Sequence, residues 1–356
     1  MTSNDPDLLR PEQSTRLRSP RHWVPAILLR RSVLVTAGSW AAANVVVLVT
    51  AGGALPFDWP DRPDRSSVEA LVEANLALLQ VLALMALVVF LTRKRQPPDL
   101  LSRAPTIPVA RRESALLLCY GAAGLLGGFL LARAFGWHSF GLHLAGTIYG
   151  THDIVHRAEA IVWAVYNLLV YAVVPLLVFR RRYSPTELNL RSTDRANDAV
   201  VIVVVLAVEA TFQLLALPPT TSDLSVRQLA LGATITFLLY LAGAVLPAMI
   251  FLYAILVPRF LRLTGSTAAT VILGGVTYAL LHVWDAWLVF DSPRDAVVSI
   301  LFLGFTYLGP GMIKTVLTLR TGNAWVHVWA YHALAPHTLL DTTHTVEVFG
   351  FHGGHR

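Results

Sequence analysis

Two histidines in apolar stretches, His282 and His332, are the residues of this chain whose type and position most suggest chemistry. Neutral imidazole is the commonest metal ligand in proteins, and it titrates near neutral pH. A polar ring in the middle of a membrane helix is costly, so it usually has a partner or a function. The pair therefore predicts a metal-binding or proton-handling site on neighbouring helices. The alternative is structural, with each ring hydrogen-bonded to an adjacent helix.

Two carboxylates lie in similar surroundings. Asp285 follows His282 by three residues, which places both on one side of a helix, where the carboxylate would orient the imidazole or act in catalysis. Glu209 lies in a valine-rich stretch and is a candidate catalytic base, because an intramembrane carboxylate marks a functional site by default. The structural alternatives are a polar helix end at Asp285 and a protonated or paired side chain at Glu209. His327 precedes His332 by five residues, which puts the two on different faces of an α-helix.

A second polar group lies at the start of another apolar stretch. His152, His156 and Glu159 are spaced i, i+4 and i+7, which is one face of a helix. Two histidines four residues apart can chelate one ion, as in the His-Glu-x-x-His zinc motif. With His337 from the last apolar stretch, these residues would form an outer metal site. The alternative is a hydrated helix start at the membrane surface, with Thr151 as its cap.

The composition indicates a polytopic membrane protein of the all-α class. Of 356 residues, 55% are hydrophobic and 14% are charged, and the mean hydropathy is +0.57, which lies outside the range of soluble domains. The net charge of +6 comes from arginines that flank apolar stretches, which indicates membrane orientation and not nucleic-acid binding. The single cysteine, Cys119, excludes an intrachain disulfide and a cysteine-ligated zinc site.

Nine apolar stretches are candidate spans, so we expect a helix bundle with eight or nine transmembrane helices. They cover roughly residues 32–55, 68–92, 114–132, 159–179, 199–217, 228–257, 267–290, 296–318 and 324–340. With the N-terminus in the cytoplasm, alternating spans leave 21 of the 28 lysines and arginines on the cytoplasmic side. This predicts a multi-pass protein of the cell membrane, with the lipid bilayer as a partner. The predicted regions are a basic cytoplasmic tail (1–31), a four-span region (32–183), a five-span core (184–341) and a flexible tail (342–356).

Two short motifs stand in the second half of the chain. One is Tyr278-Ala-Leu-Leu-His282, and the other is Arg320-Thr-Gly-Asn-Ala-Trp325, which is followed by His332. With them, residues 184–341 resemble the CAAX-protease and bacteriocin-processing family of intramembrane metalloproteases. That family carries a Phe-x-x-x-His motif and a final His-x-x-x-Asn or Asp motif, whose histidines help to hold a divalent metal. The resemblance implies this role for His282 and His332.

The family's first motif, Glu-Glu-x-x-x-Arg, supplies a glutamate that is taken to activate water, and this motif is missing here. Pro247-Ala248 occupy the positions of the paired glutamates, and Leu252 occupies that of the arginine. The third motif is also altered, because Pro336 stands where the asparagine or aspartate is expected. His337 and Asp341 lie just beyond and are candidate substitutes.

The resemblance and its gaps leave three functions open. The first is a non-catalytic descendant that binds a membrane protein or a lipid partner. The second is an active intramembrane metalloprotease, in which one divalent metal, expected to be zinc, and a relocated carboxylate, Glu209 or Asp285, cleave membrane-anchored peptides. The third is a transporter that uses the outer group of His152, His156 and Glu159. The lack of inverted repeats and the scarcity of broken helices disfavour this third function.

Overall fold

The computed structural model describes residues 30–57, 66–145, 155–215 and 224–351, and its regular elements are helices. Seven of them are long and apolar enough to cross a membrane, which confirms the polytopic all-α bundle. These are α1 (Arg31–Thr50), α2 (Ser67–Leu91), α4 (Ile107–Ala134), α5 (Arg157–Arg180), α6 (Arg195–Leu215), α7 (Val226–Thr264) and α9 (Pro293–Thr321). The shorter helices are α3 (Leu100–Arg103), α8 (Thr267–Leu280), α10 (Trp325–His327) and α11 (Thr342–Phe349).

Capping residues set where the helices begin and end. At the start of α2, the Ser66 side chain accepts a hydrogen bond from the Glu69 amide, and the Glu69 carboxylate accepts one from the Ser66 amide in return. The Ser292 hydroxyl accepts from the Asp295 amide at the start of α9. The same helix ends at Gly322, whose φ of 63° is left-handed and favours glycine. The boundaries of α9, which carries part of the site, are therefore fixed by local sequence.

Arginines mark one end of the bundle, called here the basic end. Arg30, before α1, donates to the Ser266 hydroxyl before α8 at 3.1 Å. Arg95, after α2, pairs with the buried Asp198 in the first turn of α6 and donates to the carbonyl oxygen of Thr321 in α9 at 2.7 Å. These contacts join the starts of α1 and α8, and they join the start of α6 with the ends of α2 and α9.

The other end of the bundle, called here the opposite end, is defined in the same way. Arg294 at the start of α9 donates to the carbonyl oxygen of Thr50 at the end of α1, at 2.7 Å. Arg157 at the start of α5 donates to the carbonyl oxygen of Val348 in α11, at 3.1 Å. The chain therefore reaches the opposite end at the last turn of α11.

Two passages between these ends are interrupted in the middle of the bundle. Helix α8 leaves the basic end and stops at Leu280, and the turn-rich stretch 281–292 completes the passage. The last passage begins with α10 at the basic end, continues through the π-helical turns Val328–His332 and Leu334–Leu339, and finishes with α11. Irregular backbone at membrane depth is tolerated where protein buries it or where it lines a cavity. Both interruptions therefore mark a place where a site is expected.

The core of the bundle lies around α7 and α9. In the most apolar 18-residue stretch of each of these helices, 61% of the residues are buried, against 6% in α1. Large apolar side chains such as Val35, Val49, Leu177 and Val203 are exposed on the outer helices. In a membrane protein this exposed apolar surface faces lipid. The lipid bilayer is therefore the environment that the fold requires.

Three parts of the predicted organisation differ from the structure. The predicted span 228–257 belongs to α7, which has 39 residues because π-helical turns keep it continuous as far as Thr264. The apolar run 324–340 is not one straight span but a series of short helical turns. Residues 342–349, expected in a flexible tail, form α11, and the Thr345 hydroxyl of this helix accepts from Thr236 of α7 at 2.7 Å. The basic tail up to residue 29 and residues 352–356 lie outside the described residues.

Candidate metal centre

A buried loop after α4 carries His143 into the bundle. Trp163 Nε1 and Asn167 Nδ2, both on α5, donate to the carbonyl oxygen of Gly141 at 2.9 Å each. A Cβ on Gly141 would lie 3.1 Å from the backbone nitrogen of Asp285, so a larger residue does not fit there. The loop is thus fixed between α5 and the turn that follows α8, and only 7% of His143 is exposed.

Helices α8 and α9 approach each other closely at glycines. A Cβ on Gly311 of α9 would lie 2.7 Å from the Cβ of Tyr278 and 2.8 Å from the Cα of Gly275, both on α8. Small residues let two membrane helices meet along their backbones. This contact sets the end of α8, with Tyr278 and His282, beside Tyr307 of α9.

His143, His282 and Asp285, called here the central triad, converge in the middle of the bundle. All three are buried, and one candidate ligand atom of each lies within 4.8 Å of those of the other two. The Tyr307 hydroxyl donates to Asp285 Oδ2 at 2.5 Å and lies 2.7 Å from His143 Nδ1. Its ring stacks on that of His282, with 3.8 Å between centroids. Tyr307 therefore contacts all three members of the triad.

The proton position on His282 follows from its neighbour. His282 Nδ1 lies 2.7 Å from the backbone oxygen of Tyr278, and a carbonyl oxygen can only accept, so Nδ1 carries the proton. The lone pair is then on Nε2, which has no hydrogen-bond partner among the described residues. A buried polar atom without a partner costs about 1–3 kcal/mol. This nitrogen is therefore available to a ligand.

The donor set of the central triad fits a divalent transition metal. Two imidazoles and one carboxylate are the protein ligands of one class of catalytic zinc site, which keeps a fourth position open. A ring centroid lies about 3.2 Å from a zinc ion bound through a ring nitrogen, so two imidazoles at a tetrahedral angle have centroids about 5.2 Å apart. The centroids of His143 and His282 are 5.1 Å apart. The two rings are spaced to share one ion.

The charge balance in the bundle interior also favours one divalent cation. The buried carboxylates of this region are Asp285, Glu209 and Asp341, and its buried ammonium group is Lys314. With the carboxylates ionised, the ammonium group charged and the imidazoles neutral, these four groups sum to a charge of −2. Uncompensated buried charge is strongly unfavourable. One divalent cation brings the total to zero.

His332, predicted as the second metal ligand, lies beside the central triad and does not belong to the group of converging ligand atoms. Its Nε2 is 3.1 Å from the hydroxyl oxygen of Tyr278, which accepts a hydrogen bond from Lys314 Nζ at 2.6 Å. Either the Tyr278 hydroxyl or His332 Nε2 can donate in this contact, according to the tautomer of the imidazole. His282 and His332 are therefore connected through Tyr278, by its backbone oxygen on one side and its hydroxyl on the other.

His337, predicted as part of an outer site, instead lies next to the triad. Its ring centroid is 5.1 Å from that of His143, and its Nδ1 is 3.5 Å from Asp341 Oδ2. Tyr240 of α7 stacks on the His337 ring with 4.3 Å between centroids. The structure thus joins His337 and Asp341, the two candidate substitutes for the altered third motif.

Glu209 is buried in α6 and is held by amides. Gln80 Nε2 donates to one carboxylate oxygen at 3.0 Å and Gln213 Nε2 to the other at 2.8 Å. Lys314 is the cation that acts electrostatically on this carboxylate. Among the described residues, the hydrogen bonds of Glu209 do not reach the central triad. A role as catalytic base stays a prediction.

The predicted outer group is not assembled on one helix face. Helix α5 begins at Arg157, so His156 precedes it and is exposed at the cap position. The Glu159 carboxylate accepts from the backbone amide of His138 at 2.9 Å and from that of His156 at 3.4 Å. His152 lies outside the described residues. Glu159 therefore closes the start of α5 against the α4–α5 loop.

Sequence reasoning missed His143. Its segment reads as a polar outer loop, and neither its spacing nor its neighbours indicate that it folds back into the bundle. An α-helix puts residues five apart on different faces, which predicts that His327 and His332 are separate, whereas their ring centroids are 5.8 Å apart. Tertiary packing and π-helical winding, respectively, decide these two positions.

The family expected from the motifs of the second half is not identified by comparison with known proteins. Pro247 and Ala248, which stand at the positions of the family's paired glutamates, are buried in α7 and supply no ligand atom from their side chains. The family relationship remains a prediction, because no protein-family model, curated protein or solved structure matches the chain.

Proposed function

We propose that the protein binds one divalent metal ion at the central triad, inside the membrane, and uses it to hydrolyse membrane-anchored polypeptides. The observation that carries this proposal is the convergence of His143, His282 and Asp285, with the lone pair of His282 Nε2 left without a partner. Zinc is the expected metal, since two imidazoles, a carboxylate and an open position are a donor set of zinc hydrolases.

The surrounding groups orient the triad. Tyr307 donates to Asp285 Oδ2 and so fixes the direction of the carboxylate. The backbone oxygen of Tyr278 holds His282 with Nε2 free. Such partners fix ring orientation and raise ligand basicity. A divalent metal bound there would supply a Lewis acid and make a coordinated water more acidic.

The missing glutamate pair leaves the proton of that water without its usual acceptor. His337 is placed to take this role, because it borders His143 and is oriented by Asp341 at 3.5 Å. A histidine held by a carboxylate is a common general base, and general base catalysis contributes typically about 10²–10⁴-fold. His337 and Asp341 would thus replace the function of the absent glutamates with different residues.

The depth of the triad indicates the class of substrate. Tyr307 stands halfway along the 29 residues of α9, which at 1.5 Å per residue places it about 20 Å from either end. A substrate must therefore carry its scissile bond into the membrane interior. A transmembrane or lipid-anchored peptide does so, and the resemblance of Tyr278-Ala-Leu-Leu-His282 to an intramembrane protease motif supports the same substrate class.

Metal analysis and cleavage test this proposal together. Full-length protein in nanodiscs should contain one zinc per chain by mass spectrometry, and His282→Ala should lose it. His156→Ala, an exposed histidine outside the triad, is the matched control. Wild-type protein should cut a fluorogenic transmembrane peptide in a chelator-sensitive way. Metal-free wild-type protein would refute the site, and metal without cleavage of any such peptide would leave the non-catalytic binding function.

Ion translocation is the second candidate, because two passages are interrupted at the depth of the triad. Transporters commonly place ion sites at such broken helices near the bilayer midplane. Under this hypothesis the triad is a transient site, and proteoliposomes with wild-type protein should take up radioactive zinc while His282→Ala vesicles do not. Uptake by wild-type and variant vesicles at the same rate would remove this function.

A further inference from the structure

Three histidines of the last passage form a row. His327, His332 and His337 are five residues apart, and π-helical turns cover Val328–His332 and Leu334–Leu339. In a π-helix the hydrogen bonds join residues i and i+5, as between the Ala333 amide and the Val328 carbonyl oxygen at 2.8 Å. Side chains five apart therefore lie near one another. The ring centroids are 5.8 Å apart for the first pair and 5.3 Å for the second.

The row leads directly to the central triad. The ring centroid of His337 is 5.1 Å from that of His143, which is itself 5.1 Å from that of His282. At its other end, His327 is two residues into α10, close to Asn323, whose side-chain amide donates to Asp198 at the basic end. Five imidazoles thus form a continuous series from the basic end to the middle of the bundle.

Several ring nitrogens of this row have no partner among the described residues. At most one nitrogen of His327 has a partner, the backbone of Ala324, and Nδ1 of His332 is buried and makes no hydrogen bond. The hydroxyl of Tyr253, whose ring lies 4.3 Å from that of His327 between centroids, is also without a partner. Natural proteins rarely leave buried polar atoms unpaired, and each exception needs an explanation such as an ion.

The spacing within the row is that of imidazoles which can share a metal ion. Two rings bound to one zinc have centroids about 5.2 Å apart at a tetrahedral angle and about 6.4 Å apart in a linear arrangement. Every step of the row, from 5.1 to 5.8 Å, falls between these limits or just below them. An ion could therefore pass from one ring to the next without leaving nitrogen ligands.

We propose that His327, His332 and His337 deliver the metal ion to the central triad from the basic end. The inference rests on the proposed function, because the triad is its destination. One divalent cation balances the charge of −2 counted above for Asp285, Glu209, Asp341 and Lys314, so the row is a path for a single ion and not a store for additional ions. Lys314 acts electrostatically on His327 and His332, which disfavours a resident cation in the row. No bond other than the nitrogen–metal bonds forms or breaks.

Cobalt loading tests the path. Metal-free full-length protein in nanodiscs is mixed with Co²⁺, and the absorption of bound cobalt is followed with time. A His327→Gln/His332→Gln variant should reach the wild-type endpoint of one cobalt per chain, because the triad is intact, but at least tenfold more slowly. His156→Gln should load at the wild-type rate. The shared endpoint shows that the variant is folded.

The outcomes separate the path from the site. Loading of the double variant at the wild-type rate would overturn the path and leave the proposed metal centre standing. Two cobalt ions per wild-type chain and one per double-variant chain would also overturn it, since the row would then be a storage site. Wild-type protein that binds no cobalt would overturn both the path and the proposed function.

Discussion

At the scale of single residues, the charge of Asp285 should dominate metal affinity. Asp285→Asn keeps an oxygen that accepts from Tyr307 but removes the negative ligand, so we expect binding about 10²-fold weaker, equivalent to about 2.8 kcal/mol. Competition with a zinc-chelating dye measures this. Asp291→Asn, a change at an exposed carboxylate of the same turn-rich stretch, should leave the affinity unchanged. Equal affinity of both variants and the wild type would place the ion elsewhere.

Lys314 and Glu209 should be coupled in stability. Each is a buried ionisable group, and each acts electrostatically on the other. Removing one member of a buried pair leaves an uncompensated charge and costs about 3–5 kcal/mol, whereas replacing both is often neutral. Lys314→Met and Glu209→Gln should therefore each lower the unfolding temperature strongly, and the double variant should recover most of the loss.

A double-mutant cycle with thermal unfolding in detergent measures this coupling. Leu308→Met, an uncharged change on the same helix, controls for the effect of substitution in α9. Additive losses in the double variant would show that the two charges do not interact. Glu209 and Lys314 would then not compensate each other in the bundle interior.

The identity of some site residues could be predicted from the sequence, and their grouping could not. Polar groups in apolar stretches are costly, which predicts His282 and Asp285 as site residues, and the structure brings them together. His143 escaped notice because its segment is indistinguishable from an exposed loop until Trp163 and Asn167 are seen to hold it inside. A fixed spacing along the chain reveals only ligands that share one element.

At the scale of elements, the contact between α8 and α9 should be sensitive to a single methyl group. A Cβ on Gly311 would meet Tyr278 and Gly275 at under 3 Å, whereas one on Gly304, two turns earlier in the same helix, meets nothing within 4 Å. Overpacking costs typically about 1–3 kcal/mol. Gly311→Ala should lower both thermal stability and zinc content, while Gly304→Ala should change neither. Equal behaviour would show that this helix contact does not position the triad.

The two interrupted passages explain why element boundaries were predicted less well than element number. Hydropathy locates apolar stretches, and a bundle of eight or nine spans agrees with seven long helices and two broken passages. It does not distinguish a straight helix from π-helical turns, because winding depends on how side chains pack. A period of 3.6 residues does not place His327, His332 and His337 on one face of a helix, whereas a period of five residues does.

At the scale of the whole molecule, the predicted halves form one bundle. Arg259 of α7 pairs with Glu113 of α4 at 2.7 Å, and α2 packs along α9. The first half also contributes His143, so residues 184–341 alone lack one of the three triad ligands. A boundary near Tyr183 remains visible in the sequence as a polar, basic connection, but the site extends across it.

The orientation of this bundle follows from its charges and is open to direct measurement. Membrane proteins keep most of their basic residues in the cytoplasm, so the basic end should be cytoplasmic. With Cys119→Ala as background, Arg182→Cys places a thiol in an exposed position beyond α5 at the basic end, and Asp291→Cys places one in an exposed position at the opposite end. In intact cells, a membrane-impermeant maleimide should label Asp291→Cys at once and Arg182→Cys only after permeabilisation. The reverse pattern would show that the basic end is extracellular. The metal path would then begin outside the cell, and the ion would have to come from there.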